Sequence, residues 1–220
     1  MDYDGDGKLD LVGGQFGGYV FLARGTGKGD FSAPIKLTDA KGAVVSLGQV
    51  WSDKDSQWQK GEGAIKEIGL YHLAVDWDGD GDLDLLTGGY SGSLGIRINE
   101  GTRKEPKLAA TPTPVNAGEK PLKVQAGNSP AFADCDGDGL KDLLVASSRG
   151  TIRFYKNLGT AKAPKFAAGV VILRKPKASY LKIATGDLNG DGATDIVFGA
   201  KLKGKNPLWV MYGTKKIADR

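Results

Sequence analysis

Asp76-Trp77-Asp78-Gly79-Asp80-Gly81-Asp82-Leu83-Asp84-Leu85-Leu86 is the stretch on which the fold reading turns, because the chain contains it in four versions. They begin at Asp2, Asp76, Asp134 and Asp187, at offsets of 74, 58 and 53 residues. Each places side-chain oxygens at loop positions 1, 3, 5 and 9 and glycine at 4 and 6, and Asn189 is the one substitution at an oxygen-bearing position. A supersecondary unit of 50 to 60 residues is therefore repeated, with 16 to 21 extra residues in the first interval.

The flanks repeat as well. Short apolar runs precede the complete loops (71–75, 131–133, 183–185) and follow them (83–86, 143–146, 196–198). A Gly/Ser-containing turn then leads to a third run with alternation at 18–22, 94–98, 151–155 and 208–212, which is the pattern of hairpins. Three copies continue into a shared phrase: Arg24-Gly25-Thr26 to Phe31 and Pro34, Asn99-Glu100-Gly101-Thr102 to Pro106 and Leu108, Asn157-Leu158-Gly159-Thr160 to Pro164 and Phe166. A fourth strand fits after it, as at 170–173. Four short antiparallel strands per unit predict an all-β chain built of propeller blades. The repeats span approximately 1–47, 69–115, 128–175 and 179–220 of one domain, with an insertion loop at 48–68. Glycine, 34 of 220 residues, fits frequent tight turns, and no stretch of twelve residues carries a capped 3.6-residue period.

Carboxylates at this density repel one another unless a cation sits among them, and hard oxygen donors select Ca²⁺ over softer metals. Glycine at position 6 permits the chain to wrap, and position 7 (Lys8, Asp82, Leu140, Ala193) is expected to offer its backbone carbonyl. An EF-hand needs Glu at position 12 and flanking helices, whereas these loops have Gly13, Thr87, Val145 and Phe198 there, in strand-like surroundings. Four copies in register also argue against plain solvated Asp-Gly turns.

The pattern resembles the FG-GAP or VCBS repeats of secreted and integrin-like calcium β-propellers, over nearly the whole chain. The resemblance implies that each loop joins the first two strands of a blade and holds Ca²⁺, up to four ions in all. The implied ligands are Asp2, Asp4, Asp6 and Asp10; Asp76, Asp78, Asp80 and Asp84; Asp134, Asp136, Asp138 and Asp142; and Asp187, Asn189, Asp191 and Asp195. Such propellers usually have seven or eight blades, and this chain holds about four. The first copy lacks a leading strand and the last lacks a fourth, so a closed small ring, a segment of a larger propeller and self-association all remain open. A segment or a self-associating chain is the favoured expectation, because an open propeller exposes sheet edges.

Composition narrows the functional classes. Cys135, the single cysteine, excludes an internal disulfide and a cysteine-rich zinc site, and at loop position 2, beside Tyr3, Trp77 and Leu188 in the other copies, it reads as a packing residue. His72, the single histidine, reads as structural, and residues 13–18 lack the Gly-Lys-Ser/Thr ending of a phosphate loop. No apolar run approaches membrane-spanning length, and the first residues show neither the basic nor the apolar region of a signal peptide, as expected for a chain that begins inside a repeat.

The net charge of +4 conceals a division: the four loops sum to −14 and everything else to +18. Residues 151–220 hold 14 Lys and Arg against 4 Asp and Glu. Lysines outnumber arginines 23 to 7 and no nucleic-acid motif is present, which favours an acidic polysaccharide or another anionic surface over DNA. In the insertion, Trp51 and Trp58 interleaved with Lys54 and Lys60 form a candidate ligand site. The expected function is a calcium-binding scaffold of a secreted or cell-surface protein, acting in binding or adhesion toward a polysaccharide or protein partner. The extracellular expectation follows from mass action, because sites of this kind fill at millimolar Ca²⁺. The alternative is a calcium-dependent polysaccharide lyase or hydrolase, with Asp53, Asp55, Glu62, Glu67 or His72 as acid/base groups.

Overall fold

The computed structural model describes residues 1–14, 18–46, 49–52, 54–60, 71–125, 127–175 and 177–214. Among them there is no helix, and the antiparallel sheets fall into two compact units, Met1–Val115 and Asn116–Arg220.

In the first unit, β1 (Leu11–Gly14), β2 (Val20–Ala23) and β3 (Ile35–Lys36) form a three-stranded sheet. β4 (Gln49–Ser52) and β5 (Gln57–Lys60) form a hairpin. The insertion predicted as a loop therefore contains two strands, in which Trp51 and Trp58 are direct cross-strand partners. The other sheet has four strands in order: β6 (Tyr71–Val75), β7 (Asp84–Gly88), β8 (Leu94–Arg97) and β9 (Thr113–Pro114). β7 and β8 are buried along their whole length, including the polar Asp84, Thr87 and Arg97; Thr87 donates to the Gly95 carbonyl, and the Arg97 guanidinium donates to the carbonyls of Ala109 and Ala110. The core gathers Tyr3, Val20, Leu22, Val45, Leu85 and Leu108. His72 Nε2 meets the Val12 carbonyl at 2.9 Å, tying β6 to β1 as a structural histidine would.

In the second unit, β10 (Asn116–Ala117) and β11 (Lys120–Pro121) pair with each other. Then β12 (Asn128–Ala133), β13 (Asp142–Ser147), β14 (Thr151–Tyr155) and β15 (Val170–Arg174) form a four-stranded sheet. β16 (Ser179–Gly186), β17 (Asp195–Lys201) and β18 (Leu208–Met211) form a three-stranded one. Leu144, Ile152, Leu181 and Phe198 fill its core, with Cys135 packed against it. Burial pushes the Cys135 thiol up to about 12, so it behaves as a packing group. Tyr3 and Trp77 are buried likewise, whereas Leu188 at the same loop position is exposed.

The shared phrase after the third strand has a physical reason. Asn99 Oδ1 accepts the N–H of Gly101 at 3.0 Å and of Lys107 at 2.7 Å, and Asn157 Oδ1 accepts those of Gly159 at 2.9 Å and Lys165 at 3.1 Å. A Cβ on Gly101 or Gly159 would stand 2.3 Å from the Glu105 or Ala163 carbonyl oxygen, so glycine is required. In the first repeat, Gly25 pairs with Phe31 as Asn99 pairs with Leu108 and Asn157 with Phe166. Gly25 therefore takes the place of these asparagines rather than of Gly101 and Gly159, two residues away from the alignment that the sequence suggests.

Candidate metal centres

All four acidic loops close in one way. Both glycines of every loop take positive φ, from 70° at Gly5 to 94° at Gly81, the conformation that glycine adopts without steric cost. The position-1 carboxylate accepts N–H groups from these glycines: Gly7 to Asp2 at 3.2 Å, Gly79 to Asp76 at 2.7 Å, Gly137 and Gly139 to Asp134, Gly190 and Gly192 to Asp187. The position-5 carboxylate accepts the N–H of position 7 in each case. Lys8 donates to Asp6, Asp82 to Asp80, Leu140 to Asp138 and Ala193 to Asp191, at 2.7 to 3.0 Å.

Position 9 has a role that the sequence did not expose. One oxygen of Asp10, Asp84, Asp142 and Asp195 accepts the N–H of loop position 2 (Tyr3, Trp77, Cys135, Leu188) at 2.8 to 3.1 Å. The other accepts the N–H of Gly25, Asn99, Asn157 or Gly213 at 2.7 to 2.8 Å. All four aspartates are buried. The residue thus latches its loop to the chain leaving β2, β8, β14 or β18, the strand that pairs with the one after the loop. It keeps further lone pairs, so latching does not remove it from the candidate ligands.

One carboxylate oxygen from each of Asp2, Asp4 and Asp6 comes within 4.8 Å of the others, and the same holds for Asp76, Asp78 and Asp84, and for Asp134, Asp136 and Asp142. The fourth loop, with Asn189, makes no such three-carboxylate group among the described residues. Oδ1 of Asp2, Asp4, Asp78, Asp82 and Asp136 is buried without a hydrogen-bond partner. An orphaned buried carboxylate oxygen is costly, and several converging in one loop fit a hard cation such as Ca²⁺. A cavity of about 350 Å³ lies between the third and fourth loops, lined by Asp134, Asp136, Ala193 and Thr194, and the Thr194 hydroxyl donates to the Asp134 carbonyl at 2.5 Å.

The loops differ in their compensating charge. Asp2 pairs with Arg103 at 3.1 Å, Asp4 with Arg24 at 2.7 Å and Asp6 with Lys8 at 2.9 Å. In the third loop, Lys156 Nζ bonds Asp136 and also Asp138, the latter at 2.7 Å. Among the described residues no ion pair reaches the second loop, which carries five aspartates. Burial, reinforced by the Asp80 charge, pushes Asp82 up to about 6, and burial raises Asp84 to about 6 against the two N–H groups that it accepts.

A pH dependence follows for the metal-free protein. A carboxylate whose pKa is higher folded than unfolded binds more protons in the folded state, so its ionisation lowers stability as pH rises from about 4 to about 6. In chelator, the melting temperature should rise when pH is lowered from 7 to 5, and Asp82→Asn should flatten that rise. Equal slopes for variant and parent would count against it.

Other candidates are placed less favourably. Lys54 is exposed, while the side chains of Trp51, Trp58 and Lys60 lie outside the described part of the structure. Asp55 accepts a hydrogen bond from the Ser52 hydroxyl at 2.7 Å, and Asp53, Glu62 and Glu67 lie outside the described residues. No helix among the described residues is long and apolar enough to cross a membrane.

A family model described as FG-GAP-like repeat matches residues 76–145 and 134–198, two overlapping stretches that include the second, third and fourth loops. No curated protein matches the chain significantly.

Proposed function

The chain belongs to the FG-GAP-like repeat family, and from that premise we propose that it is a calcium-binding β-propeller module of an extracellular protein, acting in binding or adhesion. The observation that carries the calcium reading is the set of orphaned carboxylate oxygens buried inside the first three loops. The ligands would be the side chains at positions 1, 3, 5 and 9, joined by the position-7 carbonyls of Lys8, Asp82, Leu140 and Ala193. Bound calcium would supply charge neutralisation and a fixed loop shape. The second loop, with five acids and no paired base among the described residues, is the tightest candidate. An extracellular setting, with millimolar calcium, suits such sites.

Each of the three- and four-stranded sheets would be a blade. β1 and β18 are edge strands in their sheets, and pairing there with further blades or a second copy would satisfy their open N–H and C=O groups. The lysine-rich remainder of the chain supports an acidic polysaccharide as partner.

Calorimetric titration with Ca²⁺ tests the metal reading: binding should be seen, and Asp78→Ala should abolish the tightest phase. Absence of binding at millimolar Ca²⁺ would overturn it. Retention on immobilised acidic polysaccharide, weakening with salt and without new unsaturated or reducing ends, is the expected partner result; new ends would favour the lyase or hydrolase.

A further inference from the structure

The residue that directly follows the strand paired with the one after the loop occupies one structural position in all four repeats: Arg24 after β2, Ile98 after β8, Lys156 after β14 and Tyr212 after β18. The next residue in each case donates its N–H to the position-9 latch, which fixes the equivalence independently of sequence alignment. Where this position is basic, its side chain reaches the position-3 carboxylate of its own loop. Arg24 Nε donates to Asp4, and Lys156 Nζ bonds Asp136 while also touching Asp138. In the second repeat Ile98 stands there, and among the described residues no base pairs with Asp78; Asp4, Asp78 and Asp136 each keep one orphaned buried Oδ1, but only Asp4 and Asp136 have a cation on the other oxygen. The fourth repeat pairs Tyr212 with Asn189 at position 3, so neither member is charged.

We propose that this position sets the metal dependence of each loop, a basic residue acting as a tethered cation that partly replaces and competes with the divalent ion. The inference rests on the calcium reading given above and deepens it. Lys156 holds its ammonium between the carboxylates of positions 3 and 5, where an entering ion would take its own ligands. A divalent ion must displace the ammonium or sit against like charge, and either weakens binding. The same pairing relieves carboxylate repulsion when the metal is absent. The first and third loops therefore tolerate calcium loss, and the second, lacking a tethered cation, carries the requirement. Lys156 is 36% exposed on its side chain, so the pair can open into solvent rather than blocking the loop outright.

The test is Ca²⁺ titration by calorimetry together with melting in EDTA. In an Asp78→Ala background, which leaves the weaker sites visible, Lys156→Met should tighten calcium binding roughly tenfold or more. Lys156→Arg, which keeps the charge, should not. Conversely, Ile98→Lys in the otherwise unaltered chain should weaken the tightest site by a similar factor and raise the melting temperature in EDTA. Unchanged weak-site affinity in Lys156→Met, with the tightest site of the parent chain still binding, would overturn this inference and leave the calcium reading standing. No calcium binding by the parent chain would overturn both. Should Ile98→Lys fail to fold, the comparison of Lys156→Met with Lys156→Arg decides alone.

Discussion

Asp142→Ala is expected to destabilise the protein by about 3–6 kcal/mol, because it removes two charge-assisted hydrogen bonds from a fully buried carboxylate and leaves two buried N–H groups without acceptors. The groups orphaned are the N–H of Cys135, on the entry to the third loop, and that of Asn157, at the exit of β14. The neighbouring carboxylates already have donors of their own: Asp134 takes Gly137 and Gly139, Asp138 takes Leu140, and Asp136 takes Lys156. Asp142→Asn should recover little, because an amide offers a single acceptor oxygen and would point its NH₂ at one of the two donors. The discriminating condition is EDTA. A residue that acts through calcium alone loses its effect once the metal is gone, whereas the latch requires none, so urea unfolding of Asp142→Ala should show the deficit with and without Ca²⁺. A deficit confined to the calcium-loaded protein would reduce position 9 to a ligand and remove the latch.

That contrast marks where the sequence stopped being informative. The loops were legible because their glycines sit at the two positions whose φ is positive in every copy, and because apolar runs on both sides excluded helices. The double role of Asp10, Asp84, Asp142 and Asp195 was not legible: by spacing they are simply the last acid of a cation loop. The available signal was the Leu or Ile that follows each of them, which in the second, third and fourth repeats places the carboxylate at the head of a largely buried strand, where its oxygens must find N–H donors. Arg24 and Lys156 lie 20 residues beyond the carboxylates that they meet, and only the hairpin geometry of β1–β2 and β13–β14 brings them back. The strands within 49–60 were missed because Asp53 to Ser56 separates two runs of four residues each, so neither half looks long enough alone.

Chelation is expected to produce the second large effect, and the uneven charge compensation says where it acts. A ligand that binds the folded state alone stabilises it by RT ln(1 + [L]/Kd), about 2.7 kcal/mol when free calcium stands ~100-fold above Kd. For a chain of this size that corresponds to a melting temperature roughly 5–11 °C lower in EDTA. If the loss were spread evenly over the loops, silencing any one of them would remove a similar part of it. The structure argues otherwise: the first loop has three basic partners and the third has Lys156, whereas the second buries Asp82 and Asp84 with no such partner among the described residues. Asp78→Ala should therefore lower the calcium-loaded melting temperature and abolish most of the EDTA-induced shift. In EDTA itself, the same substitution should leave stability unchanged or raise it, because one charge is removed from a repelling cluster. Asp4→Ala should do the reverse in EDTA, lowering stability by removing the carboxylate that Arg24 pairs with. Differential scanning calorimetry of the two variants with and without Ca²⁺ separates these cases, and equal EDTA shifts in both would show that the second loop holds no special share of the metal dependence.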